Sequence, residues 1–191
     1  MTKKSGAEFL LGVFLILNAL SYQDVELVDL KPSEIVEAIS NGVIDATFTW
    51  DPYLYNIKKE LGENTMSWPG GQDFYFVLLT KEDWIENNPA AAERFMKSLL
   101  EAEGYIKDHP EEAKGFVKDR FDYESDYMDY SWPKQEFAVI LEQAMLIAFE
   151  DQARWRIKNK LTEATEVPNY LDYIYLDALE KVKPEAIGII R

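Results

Sequence analysis

Residues 44–53, Ile-Asp-Ala-Thr-Phe-Thr-Trp-Asp-Pro-Tyr, constrain this chain more than any other stretch. Ile44, Ala46 and Phe48 alternate with Asp45, Thr47 and Thr49, which is the period of a strand with two unlike faces. Asp51 is a good N-cap, because its carboxylate can accept from the free N–H groups of a first helical turn. Pro52 suits the first helical position, where its missing N–H costs nothing. The stretch therefore predicts a strand that turns directly into a helix, with Trp50 at the strand's carboxyl end. In open α/β sheets ligands bind at that end. An aromatic wall beside a positive helix end suits an organic anion. A buried Trp with an ordinary cap explains the same residues more simply, and the stretch taken alone favours that reading.

The text on either side extends the alternation. Ser5 and Glu8 have the capping-box spacing, which predicts a helix opening at Ser5-Gly6-Ala7-Glu8. Residues 24–30 alternate as a short strand. Lys31-Pro32-Ser33-Glu34 opens a helix that Asn41-Gly42 closes through a left-handed C-cap. Residues 53–61 read as a helix stopped by Gly62, and 65–68 as a short strand ended by Pro69-Gly70-Gly71. Helix and strand thus alternate from 5 to 68, which means βαβ units and a mostly parallel sheet.

Residues 74–80, Phe-Tyr-Phe-Val-Leu-Leu-Thr, read as a strand buried on both faces. Helices dominate the rest: 81–87, a longer one from Pro89, another from Pro110 through Val117, a short one within 122–130, and a long one over 135–160. Residues 167–182 are helical in pattern, with Tyr170, Tyr173 and Tyr175 placed for packing. Gly70-Gly71 can serve as a hinge between the halves.

Of the 191 residues, 47% are hydrophobic, which is a globular composition. Lys and Arg number 20 against 35 Asp and Glu, for a formal net charge of -15. That balance argues against nucleic acid and against anionic membrane surfaces. It leaves room for a small anion held by helix N-termini. With no Cys, disulfides, thiolate nucleophiles and zinc–thiolate sites are excluded. The one His, His109, falls in a turn between two helices. No phosphate loop, no nucleophile elbow and no complete calcium loop occurs, so no catalytic residue, metal site or cofactor is predicted. Met1-Thr2-Lys3-Lys4 before the apolar residues 9–20 has the outline of a signal peptide. Glu8, Gly12 and Asn18 interrupt it, and a domain helix is the preferred reading.

Taken in order, Ser5-Gly6-Ala7-Glu8-Phe9, Val25-Glu26-Leu27-Val28-Asp29-Leu30, Ala38-Ile39-Ser40-Asn41-Gly42, Asp45-Ala46 and Trp50-Asp51-Pro52-Tyr53 resemble one family. It is that of the substrate-binding proteins of ATP-binding-cassette importers for nitrate, sulfonates and taurine. Lys81-Glu82-Asp83-Trp84 and the final helices are also similar to it. The resemblance implies an α/β, type II periplasmic-binding-protein-like fold, with a small mixed sheet lobe followed by a mainly helical second part. Residues 1–72 would be the second-lobe α/β unit, and 73–191 the remainder of the first lobe. It implies ligand-facing roles for Ser5, Gly6, Ala7, Trp50 and Asp51, with Tyr53 and Gln72 as weaker members.

The implied function is a solute-binding component, or a shortened relative of one, that takes a small anion such as a sulfonate or nitrate. Its partners would be that anion and the importer's membrane subunits. The family is extracytoplasmic, periplasmic or lipid-anchored; the compartment of this chain stays open because its signal-like start is unconvincing. Family members are longer, and the text here starts where their second lobe starts. A residue 74–80 strand lacking its first-lobe neighbours would be an exposed edge. The alternative is therefore a truncated, non-binding interaction or structural protein, such as a domain-swapped homodimer. A related branch that makes a thiamine pyrimidine precursor uses a Cys-rich motif and an active-site His. With no Cys and only His109, an enzyme is not expected.

Overall fold

A computed structural model describes residues 1–68 and 74–190. The chain divides into two compact units, Met1–Gly71 and Gln72–Arg191.

In the first unit three helices carry the fold: α1 (Gly6–Leu17), α2 (Pro32–Ser40) and α3 (Tyr53–Leu61). Helix α1 begins where the sequence places it. The Ser5 hydroxyl accepts from Ala7 N–H at 3.2 Å and donates to the Thr2 carbonyl at 2.6 Å. The Glu8 carboxylate turns back one residue further than a capping box requires, accepting from Lys4 N–H. Helix α2 opens with Glu34 accepting from Lys31 N–H at 2.9 Å. It closes on Gly42 at φ 68°, where a glycine is needed. Helix α3 packs against α2, and Ile35 of α2 and Ile57 of α3 are buried.

The predicted strands of this unit are not assigned as strands. Residues 26–30 are extended, and they pair once: the Met1 nitrogen donates to the Val28 carbonyl at 3.0 Å, and Leu30 N–H donates to the Met1 carbonyl at 3.1 Å. Those two bonds make one parallel rung, so the chain does rise, cross through α1 and return beside itself. Residues 46–50 and 65–68 are unpaired by any strand. Alternation in sequence defines two faces of a strand, but a ladder also needs a neighbour with free N–H and C=O groups at the right height.

The second unit holds α4 (Glu82–Asn87), α5 (Pro89–Asp108), α6 (Pro110–Phe121), α7 (Ser125–Ser131), α8 (Gln143–Lys158) and α9 (Asp177–Val182). Its β1 (Leu141–Glu142) and β2 (Ile187–Gly188) pair in parallel, Leu141 against Ile187 and Glu142 against Gly188. This pair is the only sheet among the described residues. Leu141, Met145, Leu146, Leu179, Ala186 and Ile189 form the core beneath it, and Tyr75 and Met96 pack on its margin. Glu103 of α5 locks the surroundings: it accepts from Val139 N–H at 3.0 Å and from Lys183 Nζ at 2.7 Å.

The fold is thus mixed α/β and mostly helical, and three expectations need correction. The sheet lies in the second unit and is parallel, rather than forming a mixed-sheet lobe at the start. The helix predicted over 135–160 begins only at Gln143, because Val139 is bonded to Glu103 and residues 141–142 pair with 187–188. Residues 74–80 are not a strand, and Phe76 and Leu79 are 95% and 91% exposed. A strand buried on both faces needs a layer on each side, and only Tyr75 of this stretch reaches the core margin.

Candidate functional site

The sequence marks two places in the first unit, and the structure gives each a definite geometry. At the start of α1, Ser5 and Gly6 are half-buried and Ala7 is buried. Ala7 N–H is already held by Ser5 Oγ. Gly6 N–H and Glu8 N–H have no hydrogen-bond partner among the described residues, so they are the donors left at this helix end. The buried Glu8 carboxylate sits in the same first turn and already complements the positive end of the helix.

At the second place the helix covers the predicted residues 53–61, but Pro52 stands just outside it rather than at its first position. Pro52 takes the cap position, and α3 starts at Tyr53. Asp51 still caps the helix, its Oδ1 accepting from Tyr55 N–H at 3.1 Å. The Trp50 carbonyl accepts from Leu54 N–H at 3.1 Å, which ties the turn to the helix axis. The Trp50 ring is 42% exposed and stands edge-on to Tyr53, with centroids 6.1 Å apart. Together they form a two-walled aromatic corner open to solvent. Trp50 is therefore not the buried packing residue of the simpler reading.

One polar atom beside this corner was not singled out from sequence. Thr49 Oγ1 is buried and unpartnered among the described residues, directly before Trp50. A hydroxyl in that state costs free energy until something bonds to it. No hydrogen bond or ring contact joins Ser5 to Trp50. What links their elements is Phe14 of α1 against Phe48, at 5.6 Å. Gln72 and the Gly70-Gly71 hinge fall outside the described residues.

Elsewhere, His109 ends α5 and begins α6, its ring 4.9 Å from Tyr105. Among the described residues no three His, Asp or Glu side chains converge to hold a metal ion. No helix among them is long and apolar enough to cross a membrane. A cavity of about 410 Å³ lies in the second unit, against α8 and the segment after it. Nothing in the sequence pattern pointed there.

A capped, small-residue helix start and an exposed aromatic turn are the kind of surface on which binding proteins hold small polar solutes. The chain belongs to the NMT1-like family, which matches residues 2–118 and so spans both places. This is the nitrate, sulfonate and taurine-binding family. Its members bind substrates rather than transform them, and are generally extracytoplasmic. No curated protein and no solved structure matches the chain.

Proposed function

We propose that the chain is the solute-binding component of an ATP-binding-cassette importer, with a type II periplasmic-binding-protein fold, and that it presents a small organic or inorganic anion to the importer's membrane subunits outside the cytoplasm. The observation that carries this reading is the family match over residues 2–118, a range that includes both elements proposed to face the ligand. In this reading residues 1–72 are the second-lobe unit and 73–191 belong to the first lobe. Gly6 N–H donates to the anion, Ser5 and Ala7 keep the helix start narrow, and Trp50 with Tyr53 covers the organic part. Asp51 fixes the turn, and Gln72 adds a polar contact. A sulfonate suits this set, since it offers several acceptor oxygens on an apolar stem.

Calorimetry on the full chain with nitrate, taurine and a short alkanesulfonate tests the reading. Saturable binding of at least one, weakened about tenfold or more by Trp50→Ala, is expected, in line with loss of one well-packed aromatic contact. Absence of binding by all three at millimolar concentration would overturn it.

A second reading is carried by a different observation. Residues 74–79 are apolar, and Phe74, Phe76, Val77, Leu78 and Leu79 are all exposed. This supports self-association of the chain through that segment, alongside or in place of solute binding.

A further inference from the structure

Helix α8 puts Phe149, Ile157 and Arg156 on one side, at helical spacing. The helix ends in a left-handed Lys160 at φ 56°, with Leu161 N–H bonded to the Arg156 carbonyl at 2.9 Å. The chain then runs back along that side, bringing Glu166, Pro168 and Tyr170 opposite the helix. These six are among the ten residues that line the cavity of about 410 Å³. Its walls mix apolar and polar groups, with Gln152 and Thr162 beside the two charges, and Phe149 and Tyr170 meet edge-to-face with centroids 5.5 Å apart. A cavity of this size, here open to solvent, falls in the range that holds small organic ligands.

The two charges are the informative feature. Arg154, two residues before Arg156, bonds Glu150 at 2.6 Å and Asp151 at 2.9 Å on the other side of α8. Arg156 has no ion pair or hydrogen bond from its guanidinium among the described residues, in a chain where acids outnumber bases 35 to 20. Glu166 is also without a partner among the described residues, and the two do not pair with each other although both line one cavity. A guanidinium matches a carboxylate in fork geometry, and a carboxylate accepts from an ammonium. A ligand bearing both groups on an apolar body would satisfy both residues together. A simple anion would meet Arg156 but be repelled by Glu166.

We infer that this cavity is a binding site for a small zwitterion with an apolar side chain, of the aromatic α-amino-acid class, with Arg156 on its carboxylate, Glu166 on its ammonium and the Phe149–Tyr170 corner around its ring. The site lies wholly in the second unit and is independent of the anion site proposed above.

Calorimetry on the full chain tests this with L-phenylalanine, 3-phenylpropionate and phenethylamine. L-Phenylalanine is expected to bind best. Arg156→Gln and Glu166→Gln should each weaken it roughly ten- to a hundredfold, the usual effect of removing one charged hydrogen-bond partner. Both side chains are exposed, so folding should be intact by circular dichroism. Arg154→Gln, which removes the same charge from the other side of α8, should leave binding unchanged. The inference is overturned if L-phenylalanine fails to bind at ten-millimolar concentration, if 3-phenylpropionate binds as well as L-phenylalanine, or if Arg154→Gln weakens binding as much as Arg156→Gln.

Discussion

Ala19 and Lys160 hold the same left-handed conformation after α1 and α8 that Gly42 holds after α2, at φ 56°, 56° and 68°. In each case the helix closes with a pair of reversed bonds. After α1 these are Leu20 N–H to the Leu15 carbonyl at 2.8 Å and Ala19 N–H to the Ile16 carbonyl at 3.1 Å. Only Gly42 adopts that φ without a side-chain penalty, which is why it alone was readable as a stop. Ala19 is exposed, so a glycine there loses no packing. Ala19→Gly should stabilise the protein by about 1 kcal/mol, measured as a higher midpoint in urea. A lower midpoint would mean that α1 does not end in this turn.

Glu103 gives a residue-scale prediction in pH. Burial by itself pushes its carboxyl upward; the Lys183 ammonium and Val139 N–H outweigh that and hold it below the ordinary carboxylate range. A depressed folded value contributes stability above the unfolded carboxyl's pKa of about 4.3, and that contribution is lost as pH falls through the folded value. Stability should therefore decline with acid below about pH 4, and the decline should be shallower in Glu103→Gln. At neutral pH Glu103→Ala should cost roughly 1–3 kcal/mol, because it strands the Val139 N–H and leaves Lys183 unpaired. Urea titrations at several pH values measure both effects. An unchanged slope in Glu103→Gln would show that the clamp does not hold in solution.

At the scale of elements, helices were legible and strands were not. Helix α3 carries its signals within a few residues: Asp51 before it and Gly62 after it, so its span of Tyr53–Leu61 was read correctly. A helix satisfies its backbone internally, so its caps and periodicity are local text. A strand depends on a partner that can be far away. Leu141 pairs with Ile187, 46 positions on, and nothing around Leu141 announces it. That pairing converted the first part of an expected long helix into extended chain. Residues 74–80 failed the other way: their composition suits a strand, yet no described segment pairs with them.

For the whole molecule, the exposed apolar stretch has a measurable consequence. Burying one large apolar side chain is worth about 1.5–3 kcal/mol, and five lie exposed between Phe74 and Leu79. Chains carrying such a stretch should associate through it in water. Light scattering at micromolar concentration is expected to give a dimer mass for the natural chain. The double variant Phe76→Asp with Leu79→Asp should give a monomer mass at an unchanged thermal midpoint, since both side chains already face solvent. A monomer mass for the natural chain would remove the self-association reading and leave the solute-binding one standing.

Sequence alone determined the helical scaffold of the first unit, the caps at Ser5 and Asp51, the C-cap at Gly42 and the family, because each is written in short-range order. It also marked the Ser5 and Trp50 regions. Tertiary structure alone decided that Trp50 is exposed rather than buried, that Ala7 N–H is taken by Ser5, and that Thr49 keeps an unpartnered hydroxyl. It also decided where the one sheet among the described residues forms and that Arg156 and Glu166 line a common cavity. Those features depend on which distant segments meet, and local periodicity gives the faces of an element without specifying what will cover them.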